Sequence, residues 1–230
     1  MTDSGLWAIL PIKNIEDAKQ RLAGFIGKAE RQALFRAMIE DVLEALSRSA
    51  TLSGILVVTR DPEAKRLARI YDARVLIEKR NAGHTAASSF GAETLAREGV
   101  AGMLQVPGDL PLLNANDVDA LIAAHGEAPA VTIAPSRDKL GSNGVACSPP
   151  DLLPLRFGDD SFFPHLKRAR DLGIEPRVLE RDGFALDVDT PDDLMTFLAS
   201  PSTTRAYRYL IESGVADRIS NDRSLQSSSP

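Results

Sequence analysis

Cysteine and histidine are scarce in this chain, and their scarcity excludes several kinds of site. The one cysteine among the 230 residues is Cys147, so an intramolecular disulfide is excluded and a cysteine-based metal site is not expected. The three histidines, His84, His125 and His165, lack the spacing of a zinc site. No Ser-His-Asp arrangement is recognisable, so nucleophilic catalysis by a side chain is not expected. A single cysteine is typical of proteins from a reducing cytoplasm.

Long apolar runs and an excess of basic residues are also missing. Apolar stretches such as Leu6 to Ile12 are far shorter than the about 20 residues of a membrane-spanning helix. The first residues lack the basic flank and apolar stretch of a signal peptide. Lys and Arg number 27 against 32 Asp and Glu, which gives a net charge of −5, whereas proteins that bind nucleic acid need a basic surface. We therefore expect a cytoplasmic protein with no membrane and no nucleic-acid partner.

What the chain does contain is a regular alternation of short apolar runs with amphipathic helical segments. Predicted strands are 6–12, 54–59, 74–78, 100–106, 130–134, 176–180 and 184–188, and predicted helices are 28–49, 62–71, 85–97, 116–124, 161–172 and 191–198. Such alternation indicates mostly parallel strands joined by crossover helices, and so a three-layer α/β/α sandwich. We expect one domain over residues 1–200. Residues 201–230 are expected to form a tail that is partly helical or frayed.

Three cations follow the first predicted strand within nine positions: Lys13, Lys19 and Arg21. Ligands in such sheets bind beyond the carboxyl ends of the strands, so these side chains are placed to neutralise a polyphosphate. The chain has neither a G-x-x-x-x-G-K-[ST] loop nor a G-x-G-x-x-G turn, so the phosphate site would not be one of those standard types. A solvated basic turn is an equally good interpretation of the segment alone.

Three carboxylates lie at or beyond the ends of two other predicted strands. Asp109 follows the fourth strand in a rigid Pro-Gly-Asp turn, a position that suits a hard cation but also suits a turn or cap residue. Asp187 and Asp189 would share one face of the last strand, where a divalent metal would relieve their repulsion. Thr190 with the proline and two acids after it is typical of a helix start. We therefore predict a metal site at Asp109, Asp187 and Asp189.

Two glycine-rich and serine-rich segments, 139–144 and 157–162, interrupt the alternation. Glycines beside hydroxyl residues expose backbone N–H groups that can hold a phosphate, and Ser161 starts a predicted helix whose N-terminus attracts anions. Ordinary turn chemistry explains either segment taken alone.

In combination, these segments resemble the guanylyltransferase family of coenzyme F-420 biosynthesis, the 2-phospho-L-lactate guanylyltransferase-like proteins. The resemblance covers residues 6 to 199. It rests on Pro11-Ile12-Lys13 with Ala18-Lys19-Gln20-Arg21-Leu22, Pro107-Gly108-Asp109-Leu110-Pro111, Gly141-Ser142-Asn143, Phe157-Gly158-Asp159-Asp160-Ser161-Phe162 with His165, and Asp187-Val188-Asp189-Thr190-Pro191. The Pro-Gly-Asp and Asp-Val-Asp features are also similar to those of the wider GT-A-like nucleotidyltransferase fold.

The resemblance implies transfer of GMP from GTP to the phosphate of 2-phospho-L-lactate, phosphoenolpyruvate or 3-phospho-D-glycerate, with Mg²⁺ and release of pyrophosphate. It implies that Asp109, Asp187 and Asp189 hold Mg²⁺, that Ser142, Gly158 and Ser161 hold the acceptor phosphate, and that Lys13, Lys19, Arg21 and Gly83 face the nucleotide. The sequence departs from the family at two places. Ser142 stands where the family usually has threonine, and Gly83-His84-Thr85 stands where it usually has Gly-Leu-Asn.

Two other functions are compatible with the same segments. One is another Mg²⁺-dependent nucleotidyltransferase, of the sugar-1-phosphate or molybdopterin type, whose acceptor pocket would be larger. The other is a non-catalytic nucleotide-binding module, because a fold does not by itself imply an activity. A homodimer is the commonest assembly to expect.

Overall fold

A seven-stranded sheet lies at the centre of the computed structural model, which describes residues 5–78, 80, 82–158 and 160–219. The strands are β1 (Leu6–Pro11), β2 (Leu52–Val58), β3 (Arg74–Leu76), β4 (Gly102–Gln105), β5 (Ala130–Pro135), β6 (Ser142–Ser148) and β7 (Arg177–Val178). Their order across the sheet is β3-β2-β1-β4-β6-β5-β7. β6 is antiparallel to both of its neighbours, and the other described pairs are parallel. The sheet is therefore mostly parallel, as predicted.

Helices cover both faces of the sheet. They are α1 (Lys28–Ser47), α2 (Pro62–Ile70), α3 (His84–Arg97), α4 (Ala115–Ala124), α5 (Phe162–Asp171), α6 (Asp182–Ala185), α7 (Pro191–Leu198) and α8 (Arg205–Glu212). Side chains of β1 alternate between the two faces, since Ala8 and Leu10 join the core under α1, α2 and α4, while Ile9 joins the core under α3 and α5. This arrangement confirms the three-layer α/β/α sandwich. None of the described helices is both long and apolar enough to cross a bilayer.

Strand β6 is not predicted from the sequence, because the alternation of apolar runs and helical segments is weak between residues 135 and 160. Its sequence, Ser-Asn-Gly-Val-Ala-Cys-Ser, has small residues rather than a long apolar run, yet all seven residues are buried between β4 and β5. Close packing between two neighbours replaces the bulky side chains that would mark a buried strand. Cys147 lies in β6 and is fully buried. Because β6 runs antiparallel, its first residue, Ser142, reaches the same edge as the carboxyl ends of β1 and β4.

The strand predicted over 184–188 was wrong. Residues 182–185 form the short helix α6, and the chain then continues in an extended connection that joins no strand of the sheet. One backbone hydrogen bond, from the N–H of Val188 to the carbonyl of Asp109 at 3.0 Å, fixes this connection beside the turn that follows β4. The carboxylates of Asp187 and Asp189 are thus positioned by the hydrogen bond of the residue between them to Asp109, and not by the alternation of side chains along a strand.

The segment after residue 201 contains α8, which packs against α1. Ala206 and Leu210 of α8 are buried in one cluster with Leu34 and Met38 of α1. The carboxylate of Asp41 accepts hydrogen bonds from the N–H groups of Arg205 at 2.8 Å and Ala206 at 2.9 Å, which satisfies the free donors at the start of α8. Residues 201–219 are therefore not frayed, and the remainder of the predicted tail, 220–230, lies outside the described residues.

Asp41 gives the attachment of α8 a dependence on pH. Burial raises the pKa of Asp41 to about 6, although the N–H groups of Ala206 and Arg205 act against the rise. The folded state then holds this proton more strongly than the unfolded state, so the contribution of Asp41 to stability falls as pH rises from about 4 to about 6. We expect the free energy of unfolding, measured relative to that of Asp41→Asn, to decrease by about 2 kcal/mol between pH 4.5 and pH 7. Urea unfolding of both proteins at pH 4.5 and 7 measures it, and a constant difference would contradict this assignment.

Candidate functional site

A cleft of about 770 Å³ opens at the edge of the sheet where β1 and β4 end and β6 begins. Seven of the ten residues predicted for the site line it, namely Lys13, Arg21, Gly83, Asp109, Gly158, Asp187 and Asp189. Lys19 lines an adjoining cavity together with Lys13, Asp109 and Asp189. Ser142 and Ser161 do not line the cleft and are buried beside it. The cations and carboxylates predicted separately from the sequence are therefore brought together at one edge of the fold.

Lys19 is the centre of the charged part of this cleft. It follows a 3₁₀ turn over Ile15–Asp17 and has a left-handed backbone, with φ of 56°. Its Nζ lies 2.6 Å from Oδ2 of Asp109 and 3.4 Å from Oδ1 of Asp189, and its side chain is 4% exposed. Burial by itself would lower the pKa of Lys19, but attraction from Asp109 and Asp189 outweighs it and raises the pKa. Lys19 therefore stays charged and ties two predicted metal ligands together.

Asp189 also pairs with a second cation, because Nη1 of Arg21 lies 3.0 Å from its Oδ2. Both carboxylate oxygens of Asp189 thus contact a basic side chain. Thr190, the next residue, caps α7 together with Asp193, as the sequence predicts. Among the described residues, no group of three or more His, Cys, Asp or Glu side chains is arranged to hold a metal ion. The three-carboxylate magnesium site stays a prediction.

Asp109 and Asp187 form a pair of carboxylates with unused capacity for a cation. Oδ1 of Asp109 is buried, and no described residue forms a hydrogen bond with it. Burial raises the pKa of Asp187, and repulsion from Asp109 raises it further. The amide of Asn143, at the start of β6, donates a hydrogen bond of 3.1 Å to Asp187 and one of 2.8 Å to the carbonyl of Phe184. Carboxylate oxygens are ligands that Mg²⁺ prefers, and it is commonly held by one or two of them plus phosphate oxygens, so these residues fit the ion.

Hydrogen bonds between buried side chains connect the two serine-containing segments. The backbone N–H of Arg156 donates to Nε2 of His165 at 3.1 Å, so Nδ1 carries the proton and donates to Oγ of Ser142 at 3.0 Å. Burial lowers the pKa of His165 to about 4, which keeps the ring neutral. Oγ of Ser161 accepts from the N–H of Ser142 at 2.9 Å. These bonds fix both serines beside the cleft, and Gly158 stands open at its wall with no atom near a potential Cβ.

His165 and Asn143 belong to motifs of the resembled family, but the sequence alone predicts no role for either residue. The spacing of His165, four positions after Ser161, could have indicated that the two side chains share a face at the start of the helix, because residues four apart in a helix are neighbours. The signal for Asn143 was its place beside Ser142. Neither partner, Ser142 for the histidine or Asp187 for the asparagine, can be identified from a single sequence.

His84 stands at the start of α3, where its ring lines both the cleft and the adjoining cavity. The amide of Gln105 lies 3.0 Å from its Nε2, and the ring of Phe157 meets it edge-on at 4.8 Å. Burial lowers the pKa of His84 to about 4, so a neutral ring occupies the position where the resembled family has leucine. Gly83 precedes it with φ of 101°, a conformation that glycine adopts at little cost.

The chain matches the model of one protein family, described as "Guanylyl transferase CofC like", over residues 6–227. A phosphoenolpyruvate guanylyltransferase of Conexibacter woesei is 41% identical over 82% of this chain and 85% of its own. A phosphoenolpyruvate guanylyltransferase of Rubrobacter xylanophilus is 37% identical over 85% of this chain and 94% of its own. A 3-phospho-D-glycerate guanylyltransferase of Colwellia psychrerythraea is 30% identical over 85% and 93%.

Solved structures share the fold at low identity. A crystal structure assigned to a nucleotide-diphospho-sugar transferase of Desulfovibrio desulfuricans G20 superposes with a TM-score of 0.76, at 17% identity, over 96% of this chain and 98% of that one. A nucleotidyl transferase of Methanothermobacter thermautotroptrophicus gives a TM-score of 0.63, at 17% identity, over 84% and 95%. The fold expected from the sequence is therefore the one observed.

Proposed function

Because the chain belongs to the family of CofC-like guanylyl transferases and is a nucleotidyltransferase, we propose that it transfers GMP from GTP to the phosphate of a small phosphorylated acid. The observation that supports this most is the position of Lys19. It draws Asp109 and Asp189 together at the edge of the sheet, and Lys13 and Arg21 face the same cleft. Cations and carboxylates so placed suit a reaction between two phosphate groups.

We take phosphoenolpyruvate as the first acceptor to test. The relatives at 41% and 37% identity are named for it, and the relative at 30% is named for 3-phospho-D-glycerate. These acids and 2-phospho-L-lactate all join a phosphate to a three-carbon acid, so one site can fit each of them with small changes. The product would be the activated half that coenzyme F-420 biosynthesis requires. Use of GTP also favours a cytoplasmic location, and a homodimer stays a prediction.

The reaction exchanges one phosphoanhydride bond for another. An oxygen of the acceptor phosphate forms a bond to the α-phosphorus of GTP, while the bond from that phosphorus to the oxygen bridging the β-phosphate breaks and pyrophosphate leaves with the electron pair. The acceptor phosphate is a dianion near neutral pH, so no general base is needed. The main barrier is repulsion between two anions, and the protein lowers it by positioning and by charge.

Residues of this chain can provide both contributions. Lys13 and Arg21, at the mouth of the cleft, would neutralise phosphate oxygens of GTP, and Arg21 offers a planar pair of donors. Lys19 would keep the carboxylates of Asp109 and Asp189 in place. On the acceptor side, Ser142 is buried beside the cleft and accepts a hydrogen bond from His165, so its own hydroxyl hydrogen would be available to an anion that reaches the wall of the cleft at that point.

We also propose that the enzyme uses Mg²⁺, with Asp109 and Asp187 as the residues that would hold it. The support is the unpartnered buried oxygen of Asp109 and the crowding of negative charge at Asp187. When bound, the ion would neutralise charge on phosphate oxygens as a Lewis acid. Asn143 would orient the carboxylate of Asp187 toward the same point.

Pyrophosphate release from a matrix of nucleotides and acceptors tests this proposal. GTP, ATP, CTP and UTP are each combined with phosphoenolpyruvate, 3-phospho-D-glycerate, 2-phospho-L-lactate, a sugar 1-phosphate, or no acceptor, at saturating Mg²⁺. We expect release only with GTP and one of the three acids. Release with the sugar phosphate alone would identify a different nucleotidyltransferase, and calorimetric binding of GTP without turnover of any acceptor would identify a non-catalytic module.

A further inference from the structure

A third cavity, of about 340 Å³ and distinct from the one that Lys19 lines, lies on the other side of Lys13 from the serine segments. It sits beyond the carboxyl ends of β1, β2 and β3, and its size is within the range of small-molecule pockets. Lys13 lines both this cavity and the main cleft, so the two are neighbours. The remaining polar side chains that line it are Asn14, Arg60, Asp61 and Glu78. None of these four residues is among the ten predicted for the site.

Two of these polar side chains accept hydrogen bonds from backbone N–H groups of the protein. Asp61 caps α2 by accepting from the N–H groups of Glu63 and Ala64 through Oδ1, and its Oδ2 accepts from the N–H of Ile15. Asn14 accepts from the N–H of Glu16 and donates to Asp17. Both residues therefore hold the walls of the cavity in place, and Glu78 is the carboxylate left for a ligand.

Glu78 is buried to an extent unusual for a glutamate at the end of a strand, since it is 7% exposed. Burial raises its pKa, and a hydrogen bond from the N–H of Ala82 and attraction from Arg60 and Lys13 act against the rise. A carboxylate has about four acceptor positions, so one backbone hydrogen bond leaves room for two more. The protein thus holds an acceptor group with spare capacity inside a cavity that also contains a cation.

If the protein uses GTP as proposed, the order of the strands indicates which part of the nucleotide reaches this cavity. Ser142 marks the acceptor side, at the start of β6, and the basic and acidic groups of the main cleft lie over β1 and β4. The order is β3-β2-β1-β4-β6, so a nucleotide whose phosphates lie over β1 and β4 extends away from the acceptor toward β2 and β3. Adjacent strands are about 4.8 Å apart, so the ends of β2 and β3 lie about 5 to 10 Å from the end of β1. A base at that distance from the phosphates would enter the cavity that contains Glu78.

We propose that Glu78 is the residue that selects guanine, its carboxylate accepting hydrogen bonds from N1–H and the 2-amino group of the base. Guanine alone among the four common bases presents two adjacent donors on this edge, and two parallel hydrogen bonds to one carboxylate match them. Adenine presents a lone pair at N1 and no group at C2, so it leaves the carboxylate unpaired. Arg60 lines the same cavity, and a guanidinium group can donate to the O6 and N7 acceptors of guanine. This inference rests on the proposed use of GTP.

Nucleotide analogues paired with Glu78→Gln test the assignment. Inosine triphosphate lacks the 2-amino group, and xanthosine triphosphate replaces it with a carbonyl oxygen. We expect the native enzyme to prefer GTP to ITP by at least about tenfold in kcat/KM, the discrimination usual for a charged hydrogen bond. Glu78→Gln offers one acceptor and one donor, so it should lose about 10- to 100-fold with GTP and gain activity with XTP relative to GTP. Glu93→Gln, on the exposed face of α3, should leave the ratios unchanged.

Several outcomes decide the proposal. Calorimetry of the three nucleotides with native protein and Glu78→Gln should show the same reversal, and Glu78→Ala should bind GTP and ITP equally. Equal use of GTP and ITP by the native enzyme, or a uniform loss with all three nucleotides in Glu78→Gln, would overturn the role of Glu78. Neither result would affect guanylyl transfer itself, which fails only if the native enzyme does not release pyrophosphate from GTP with any acceptor.

Discussion

Asp109→Asn is expected to lower kcat for pyrophosphate release by at least about 10²-fold at saturating Mg²⁺. Removal of a single preorganised group that stabilises charge in a reaction commonly costs this much. The change removes one negative charge beside Lys19 and the buried oxygen for which the described part of the chain offers no hydrogen-bond donor. An asparagine has nearly the same shape, so the fold should persist, and the loss should appear in kcat more than in KM for the acceptor.

Asp171→Asn is the matched control for this substitution. Asp171 lies on the exposed surface of α5 and pairs with Lys167 at 2.6 Å, the same distance as the pair of Asp109 with Lys19. Its replacement should leave kcat unchanged, because an exposed ion pair contributes little. If Asp109→Asn turns over at a rate close to that of the control, with both proteins unfolding at similar temperatures, Asp109 has no part in the reaction.

Lys19→Met is expected to reduce both activity and stability. The ammonium group is almost fully buried between two carboxylates, and removal of one partner from a buried ion pair usually costs about 3 to 5 kcal/mol because the remaining charge is left uncompensated. Turnover should fall by about 10² or more, since Asp109 and Asp189 lose the group that positions them. Urea unfolding and pyrophosphate release measure the two effects separately.

The control for Lys19 is Lys167→Met, which removes an exposed lysine from its pair with Asp171 and should change the free energy of unfolding by less than about 1 kcal/mol. Added Mg²⁺ should stabilise Lys19→Met more than it stabilises the native protein, because the ion would supply positive charge to Asp109, which the substitution leaves without its lysine. Native stability and native turnover in Lys19→Met would show that the buried pair does not organise the site.

Local signals in the sequence predict most of the regular structure. Helix α7 begins and ends where predicted, at Pro191 and Leu198. Its start is visible in the sequence because Thr190 and Asp193, only three residues apart, cap the first turn. Asp61 caps α2 in the same way. The apolar runs of β1, β2 and β4 are equally visible, since strands buried on both faces need apolar side chains on both.

Non-local pairing explains what the sequence does not predict. β6 was missed because small residues such as Gly144 and Ala146 mark a buried strand only when its neighbours are known. The false strand over 184–188 shows the converse, because its alternation of apolar and acidic residues is typical of a strand, yet the segment pairs with no strand among the described residues. In each case the deciding contact comes from a distant part of the chain.

The site shows the same division. Lys13, Lys19, Arg21 and the carboxylates can be singled out from the sequence, because they follow predicted strands. That Lys19 pairs with Asp109, 90 positions away, and with Asp189, 170 positions away, follows only from the folded chain. Glu78 stands at the end of a predicted strand, and no motif indicates the guanine-selecting role proposed for it, which depends on its burial in the cavity shared with Lys13 and Arg60. The net charge of −5 is compatible with the anionic substrates proposed, because Lys13, Lys19 and Arg21 converge on one edge of the sheet.

Isotopic labelling of the acceptor tests the central claim most directly. Phosphoenolpyruvate carrying ¹⁸O in its phosphate is incubated with GTP, Mg²⁺ and the native protein, and the products are analysed by mass spectrometry. If the acceptor phosphate attacks the α-phosphorus of GTP, every labelled oxygen appears in a product that joins GMP to the acid, and the pyrophosphate is unlabelled. Labelled pyrophosphate, or GDP as the nucleotide product, would contradict guanylyl transfer.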